Sequence, residues 1–527
     1  NTAVFSVVNA ILLQPLPYPN AKRLVDIGTR DTTSGSTYEL SYRNFADIRE
    51  QARSLQNAAA FYRMGAFLER GGELQRVFGI TASREILDVL GVKPILGRGF
   101  TPEEDREGGA KVMIISHALW RSHYGGDPNI IGRAVRYGSG SATRTVVGVL
   151  PEGVRFPEEG RDFEFIIPIL QELDERDRTL RTLVFLDGVG LLREGATVTQ
   201  TQAEVSTIAK RIGQQDPALV DLAFDAKLLQ DVLVADVRRP LLVLLGAVGL
   251  VLLIGCANVA NLLLARAAAR QREVSIRTAI GATRGVIVRQ MLVESLVLSL
   301  LAGALGLLLA MWGIDILVAL APGDIPRLDA ARIDLPVLGF TLGLSLLTGI
   351  GFGLVPALAA GRTNLVETLK EGARGSTEGR QRNRVRSALI VAEVALSIVL
   401  LAGTGLMMRS FIRLSNVDAG YDPTDRTTID VPARAAYDDD GKIIRHFERI
   451  ADRFRAIPGV ESVSAGSVMP MSGNESVWSF RIIGAPEPPP NLVPNAVVSV
   501  VMPDYFKTMG IPLLRGRDFT RQDTPST

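Results

Sequence analysis

The stretch LLVLLGAVGLVLLIGCANVANLLLA, residues 241–265, is 25 residues long and contains no charged side chain. A membrane-spanning helix needs about 20 consecutive apolar residues, so this run predicts a helix that crosses a bilayer. Similar runs follow at 295–314, 335–361 and 387–408, the last interrupted only by Glu393. The sequence therefore predicts a membrane protein with all-α transmembrane helices.

Basic residues are concentrated in two of the loops between these runs. Residues 266–289 carry six arginines against the single acid Glu273, and residues 362–386 carry seven basic side chains against three acidic ones. The 321–334 loop has two arginines and three aspartates. Because short cytoplasmic loops are enriched in Lys and Arg, the first two loops are expected in the cytoplasm and the third outside it. The two large polar regions then also lie outside the cytoplasm.

Those polar regions have the mixed pattern of α+β domains. Runs rich in β-branched and aromatic residues predict strands at 111–116, 143–150, 162–169 and 495–502. Apolar residues at helical spacing predict helices at 42–51, 199–213 and 442–456.

The predicted domain boundaries follow from these patterns. Residues 1–13 are the end of a truncated first membrane helix, and residues 14–240 form a first outer domain. The membrane domain at 241–361 has spans near 241–265, 290–318 and 335–361, and the Arg-rich loop 266–289 joins the first two spans. A cytoplasmic linker at 362–386, a further membrane helix at 387–411 and a second, incomplete outer domain at 412–527 follow.

One segment occurs twice. Residues 91–101 read GVKPILGRGFT and residues 510–520 read GIPLLRGRDFT, and the two align without a gap at an offset of 419 residues. A period this long is typical of a duplicated gene half and not of a solenoid, whose repeats are 20–50 residues. The repeat predicts two related halves, each with an outer domain, in which the segment forms a structural turn and strand. It also predicts that the chain is a fragment of an eight-span pseudodimer.

No sequence pattern in this chain indicates catalysis or a cofactor. The motif G-x-x-x-x-G-K-[ST] is absent, as are H-E-x-x-H, G-x-S-x-G and zinc-type Cys/His clusters. We therefore expect no ATPase, no cofactor and no metal site, and interpret His117 and His123 as surface or packing residues. The lone Cys256 lies in an apolar run and is interpreted as a packing residue. A net charge of +2 provides no general attraction for nucleic acid.

The Arg-rich loop predicts a surface helix at the cytoplasmic face. Gly281 is suited to end one helix, and Thr283 to cap the next, which continues into the membrane. Such a helix either binds lipid headgroups or docks on a cytosolic partner and moves the attached spans. The residue chemistry alone leaves both alternatives open.

The same loop carries a resemblance to a known family. Residues 272–295, REVSIRTAIGATRGVIVRQMLVES, are similar to the signature of FtsX/MacB-type ABC transporter permeases. Residues 81–157, with TASREILDVLGVKPILGRGFTPEED, ISHALWRSHYGGDPNIIG and TVVGVLPEGVRFP, resemble the MacB-type periplasmic core domain. The opening NTAVFSVVNAILLQPLPYPNAKRLV and the repeat most resemble the duplicated orphan permeases of acidobacterial type.

This resemblance implies a permease subunit that works with a separate ABC ATPase and couples its cycle to movements of the periplasmic domains. It implies a multi-pass protein of the bacterial inner membrane, with a periplasmic or outer-membrane partner also conceivable and no substrate specified. The residues that match the family's ATPase-contacting loop are Arg272, Glu273, Arg277, Gly281, Ala282 and Arg284.

Small residues in the third run predict close helix packing, through Gly339-x3-Gly343 and through Ser345-x3-Gly349-x3-Gly353. Ionisable residues fall near the ends of the spans, which argues against a secondary transporter with a proton relay. A ligand-sensing or adhesive membrane protein without transport activity remains the alternative from another class.

Overall fold

A computed structural model describes residues 1–523 except 33–34, 36, 71–72, 138–142, 157–162, 217–218, 270–279, 281–282, 321–326, 361–376, 430, 432–439, 472–476 and 487–494. Its chain forms two compact units. The first comprises residues 1–15 and 233–416, and the second residues 16–157, 161–232 and 417–527, apart from those gaps.

The helices and strands of the described residues are as follows. The helices are α1 Thr2–Val8, α2 Tyr42–Gln51, α3 Ile86–Leu90, α4 His117–Tyr124, α5 Glu175–Thr179, α6 Val198–Gln215, α7 Leu229–Leu233, α8 Ala235–Ala269, α9 Arg284–Leu320, α10 Leu335–Ala360, α11 Thr377–Ser415, α12 Asp440–Arg455 and α13 Tyr505–Met509. The strands are β1 Leu24–Asp31, β2 Thr37–Tyr38, β3 Leu55–Arg70, β4 Glu73–Ala82, β5 Leu96–Gly97, β6 Val112–Ile115, β7 Ala134–Arg136, β8 Thr143–Val149, β9 Phe165–Pro168, β10 Asp187–Leu192, β11 Leu222–Leu228, β12 Val477–Ser479 and β13 Asn495–Val497.

The first unit is all-α, as the uncharged runs predict. Three segments in its described residues are long and apolar enough to cross a membrane: Ala235–Leu262, Gly285–Ala319 and Arg386–Ser415. Two apolar helical stretches are shorter, Thr2–Leu13 and Leu335–Gly351. Large apolar side chains on α8 to α11 are widely exposed, and such surfaces are stable against lipid tails but not against water.

The second unit contains an eleven-stranded mixed sheet among its described residues. The strand order is β11-β1-β10-β3-β4-β9-β6-β8-β5, with β2 beside β1 and β7 beside β8. Most neighbours are antiparallel, whereas β4 with β9 and β6 with β8 are parallel. The 16-residue β3 joins both halves of the sheet, because its first residues pair with β10 and its last with β4. This is the α+β architecture expected for the first outer domain.

Each half of the sheet has its own apolar core. One core packs α2 and α6 on β1, β10 and β11, and the other packs α4 on β4, β6, β8 and β9. Helix α6 buries Val205, Ile208, Ala209 and Ile212, which confirms the helical spacing read from the sequence. All four residues of β6 are buried, and the predicted strand at 111–116 is likewise confirmed.

The two copies of the repeated segment have the same local geometry. Gly91 and Gly510 each end a short helix in the left-handed region, at φ 71° and 68°. Seven residues later in each copy, an arginine forms a two-pronged ion pair with an acid six positions on, Arg98 with Glu104 and Arg517 with Asp523. Glycine adopts positive φ without strain because it lacks a Cβ atom. The bidentate Arg–carboxylate ion pair holds the turn that follows. The predicted turn is present in both copies, and the same Arg–carboxylate ion pair follows it. The predicted strand is present in the first copy as β5 and is absent from residues 510–520 of the second.

Candidate functional site

The predicted ATPase-contacting residues lie at the edge of what the structure describes. Arg272, Glu273, Arg277, Gly281 and Ala282 fall outside the described residues. Arg284 begins α9, directly after Thr283, where the sequence placed the helix cap. In this loop Ile280 is described, and its side chain is 82% exposed. An exposed isoleucine beside a basic loop is suited to contact another surface.

The predicted packing glycines lie in α10 and differ in their surroundings. A Cβ at Gly349 would overlap Ser299 Oγ of α9, and a Cβ at Gly303 of α9 would overlap Ser345 Oγ. Small residues therefore face each other across α9 and α10. At Gly339 and Gly343 a Cβ would meet no described atom within 4 Å. Gly353 lies within α10, and close packing at these last three positions stays a prediction.

A polar network joins the first helix of the chain to the start of α10. Asp334 accepts hydrogen bonds from Asn9 Nδ2 at 3.0 Å and from Gln14 Nε2 at 2.6 Å through Oδ2. Its Oδ1 accepts from the backbone N–H of Val337 at 3.0 Å and so caps α10. One carboxylate thus fixes both a helix start and the segment that leaves α1.

A second side chain holds the same segment from the other side. Arg327 donates from Nη1 to the carbonyl of Gln14 at 2.9 Å and from Nη2 to the carbonyl of Pro15 at 3.0 Å. Its backbone lies in the left-handed region at φ 61°, an uncommon conformation for a residue with a side chain. The planar guanidinium donates to two successive carbonyls at once, which holds the side chain in place.

Apolar side chains complete this contact. One buried apolar cluster includes Val7 of α1, Ala10 and Ile11 of the π-helical turn Asn9–Leu13 that follows α1, and Val234 just before α8. It also includes Ile314 of α9 and Leu328 and Ala331, which lie before α10. We call this cluster with Asn9, Gln14, Arg327 and Asp334 the junction. Residues 16–232 of the second unit are preceded by Pro15 and followed by Leu233, so both ends of this segment adjoin residues of the junction in the sequence. A third connection between the units lies at Asn416–Val417.

No sequence pattern described above predicts the contacts of the junction. Asp334 stands directly before an apolar run, and an aspartate in that position is a sequence signal for a helix cap. Nothing in the sequence links it to Asn9 and Gln14, more than 300 residues earlier, or places Arg327 at positive φ.

The histidines lie in ordinary packing environments. His117 contacts the Trp120 ring at 5.5 Å between centroids, and His123 contacts the Tyr124 ring at 4.6 Å. Both belong to α4. Within the described residues no group of His, Cys, Asp and Glu is arranged to hold a metal ion.

Two ionic groups in the second unit are unusually buried. Arg144 is 2% exposed, pairs with Glu172, donates to Gln171 Oε1 at 2.6 Å and stacks on Tyr137. Burial raises the pKa of Asp26 to about 6; nearby Lys227 opposes that rise and Asp225 adds to it. Asp26 faces Lys227 across the β1–β11 pair. The charge of buried Arg144 is therefore paired, and the raised pKa of Asp26 makes the stability of the folded protein depend on pH.

Comparisons with known proteins find two family matches. Residues 1–208 match the family of MacB-like periplasmic core domains, and residues 245–365 match the FtsX-like permease C-terminal family. The two matches follow each other along the chain in the order of the mixed domain and the apolar helices.

Two of the relatives are named as ATP-binding/permease proteins. The chain is 27% identical over 314 residues to the pyoverdine export ATP-binding/permease protein PvdT of Pseudomonas entomophila, covering 58% of the chain and 45% of that protein. It is 27% identical over 281 residues to the macrolide export ATP-binding/permease protein MacB of Bdellovibrio bacteriovorus, covering 53% and 41%. The chain thus spans less than half the length of either relative.

Among solved structures, the periplasmic region of MacB from Actinobacillus actinomycetemcomitans is similar, at 13% identity and a TM-score of 0.30. That alignment covers 45% of this chain and 97% of the other.

Proposed function

This chain belongs to the FtsX/MacB-type family of ABC transporter permeases, and we propose that it is a permease subunit that couples ATP hydrolysis in the cytosol to movement of its outer domains. Export of a substrate or an envelope process is the outcome of that movement. The observation that carries the proposal is the junction, which holds the apolar helices to residues that adjoin both ends of the 16–232 segment.

A cytosolic ABC ATPase subunit is the proposed source of ATP hydrolysis. These 527 residues contain no G-x-x-x-x-G-K-[ST] motif, which a P-loop ATPase needs to cradle phosphates. The names of the two relatives join ATP-binding and permease functions, which supports the pairing of this permease with an ABC ATPase.

Helix α9 is suited to transmit the movement. It runs for 37 residues from the end of the Arg-rich loop, and its far end contributes Ile314 to the junction. A helix of that length extends about 55 Å at 1.5 Å per residue. Since a helix is stiff along its axis, a push on the loop by an ATPase would displace the junction. Exposed Ile280 provides an apolar contact at the loop.

The remaining assignments follow the charge pattern and the repeat. The basic loops at 266–289 and 362–386 favour a cytoplasmic position, which places the mixed domain in the periplasm of a multi-pass inner-membrane protein. The matching ion pairs, Arg98 with Glu104 and Arg517 with Asp523, support two related halves in a pseudodimer. A periplasmic or outer-membrane partner would then contact the outer domains.

Loop substitutions test this proposal. The full-length protein is reconstituted in lipid with its cognate ATPase, and the variants Glu273→Ala and Arg277→Ala are compared with Arg332→Ala, an exposed arginine in the 321–334 loop. We expect the first two to lose most of the permease-dependent ATPase stimulation, with unchanged unfolding temperature, and the third to retain it. Equal stimulation in all three would refute the coupling role and favour a sensing or adhesive protein.

A further inference from the structure

Two arginines beside α4 in the second unit carry exposed, unpaired charges. The guanidinium carbon of Arg121 lies 5.8 Å from the ring centroid of Trp120, and that of Arg133 lies 5.4 Å from the ring centroid of Tyr124. Both arginines are exposed, and neither guanidinium forms a hydrogen bond or an ion pair with a described residue. Contact with a ring face leaves the N–H groups at the edge of a guanidinium free to bind an anion.

The fold holds both guanidinium groups near the C-terminal end of α4. Trp120 and Tyr124 are four residues apart and therefore lie on one face of the helix. Nε1 of Trp120 donates to the carbonyl of Asp127 at 2.9 Å, which fixes that ring. A Cβ at Gly126 would lie 2.8 Å from Nη1 of Arg121. The rings thus hold the arginines in place before a ligand arrives, which lowers the entropy cost of binding.

The stretch that contains both arginines has a net positive charge. Residues 117–136 contain three arginines and one acid, Asp127, so their net charge is +2 with neutral histidines. Asp127 Oδ1 accepts from the backbone N–H of Asn129 at 2.9 Å and so caps the turn that follows α4. Asp127 forms no ion pair with either of the two ring-stacked arginines.

The neighbouring elements do not cancel this charge. Strands β6 and β9, on which α4 packs, have no charged residue, and β4 has one acid and one arginine. Arg144 of β8 is paired with Glu172, and Arg98, which follows β5, is paired with Glu104. Glu164 adjoins the N-terminal end of α4, because its carbonyl accepts from the N–H of the cap residue there. The C-terminal end of α4 therefore stays positive.

Exposed apolar side chains accompany the arginines. Ile131, two residues before Arg133, is 39% exposed, and Ile95, just before β5, is 47% exposed. A Cβ at Gly97 would lie 2.9 Å from Cδ1 of Ile131, so this glycine leaves room for the isoleucine beside β5. Arginine, aromatic and apolar side chains together are typical of protein interfaces. A free inorganic anion would use only the arginines, so the surface favours a ligand that is both acidic and apolar.

We propose that Arg121, Arg133 and Ile131, here called the α4 surface, form the docking site for an acidic segment of a partner protein. Carboxylates of that segment bind the two arginines, and an apolar side chain between them packs on the isoleucine. The inference rests on the proposed function, in which a partner contacts the outer domains, and it specifies the surface and the chemistry of the segment. Its test involves no ATPase, so docking and coupling can fail separately.

Peptide binding to the full-length protein in phosphatidylcholine nanodiscs tests the proposal. The probe is Ser-Glu-Leu-Glu-Ser, blocked at both ends, and its dissociation constant is measured by saturation-transfer difference NMR, which detects weak binding to a large particle. Analogues replace both Glu by Gln, both Glu by Lys, or Leu by Gly. We expect the parent peptide to bind roughly ten-fold more tightly than the Gln and Gly analogues, and the Lys analogue not to bind.

Variants assign the binding to the α4 surface. Arg121→Gln with Arg133→Gln should weaken the parent peptide roughly ten-fold and remove its advantage over the Gln analogue. Arg133→Gln alone should weaken it several-fold if the double variant unfolds. The matched control Arg176→Gln, an exposed arginine of α5, should bind as the unchanged protein does. The coupling variant Glu273→Ala should also bind the peptide normally.

Several results would overturn the proposal. They are no binding of the parent peptide, equal binding of the Gln or Lys analogue, full affinity in the folded arginine variants, or an equal loss of affinity in Arg176→Gln. If the peptide does not bind, but phosphatidylglycerol vesicles bind the unchanged protein and not the double arginine variant, the α4 surface belongs to a lipid and not to a partner protein.

Discussion

Removal of the Asp334 carboxylate should release the segment between α1 and the second unit. Asp334 accepts three hydrogen bonds, from Asn9, Gln14 and the N–H of Val337. Each such bond contributes about 1 kcal/mol net, and the side chain is half-buried, so Asp334→Ala should cost about 2–3 kcal/mol of local stability. That cost corresponds to a roughly 30- to 150-fold larger opening equilibrium.

Hydrogen–deuterium exchange of the full-length protein measures this opening. Amides of residues 9–16 and 335–338 should exchange faster in Asp334→Ala by the same factor, because local opening controls their exchange. Asp334→Asn keeps an acceptor for the α10 cap but loses the charge, and should give an effect of about 1 kcal/mol. Asp236→Ala, an exposed aspartate at the start of α8, is the matched control and should leave these amides unchanged.

The same variant also tests whether the junction takes part in ATPase coupling. If the junction transmits movement, Asp334→Ala should also reduce the permease-dependent ATPase stimulation, since helix displacement no longer moves the released segment. Unchanged exchange at residues 9–16 would refute the structural argument. Faster exchange with full stimulation and full substrate movement would refute the role of the junction in coupling.

Two other predictions concern stability. Burial raises the pKa of Asp26 from 3.8 to about 6, so the folded state favours the protonated acid, and the contribution of Asp26 to stability is greatest below pH 4 and is lost as pH rises through 6. Asp26→Asn should remove this pH dependence and stabilise the protein at pH 7 by up to about 3 kcal/mol in urea unfolding; a destabilised variant would contradict it. The Val side chain of Gly349→Val should overlap Ser299 and lower the free energy of unfolding by about 1–3 kcal/mol in thermal unfolding. Gly343→Val, with open space around it, should be near neutral. Equal effects of the two variants would show that the α9–α10 contact is not close.

Local patterns in the sequence were sufficient for the long helices and for four of the strands. The helix predicted at 42–51 is α2, with the same bounds and with Ser41 as its cap. The strand predicted at 143–150 is β8, and the one predicted at 495–502 is present in part as β13. These predictions succeed because apolar periodicity and capping act over a few residues of chain.

The sites depended on distant parts of the chain and were predicted less well. The buried pair of Arg144 and Glu172 lies on separate elements, and its arginine reads in the sequence as an ordinary alternating strand residue. The pairing of β3 with β4 ends at Phe61 opposite Ala82, a register that no local pattern states. Five of the six residues predicted to contact an ATPase lie outside the described residues, and their role stays a prediction.

The sequence by itself determined that the chain combines apolar helices with α+β domains, and that one turn occurs twice, because length, hydropathy and glycine positions are properties of contiguous residues. Only the tertiary structure decided that Asp334 and Arg327 hold the segment after α1. Those features arise when residues hundreds of positions apart become neighbours, and the packing that brings them together is set by the whole fold.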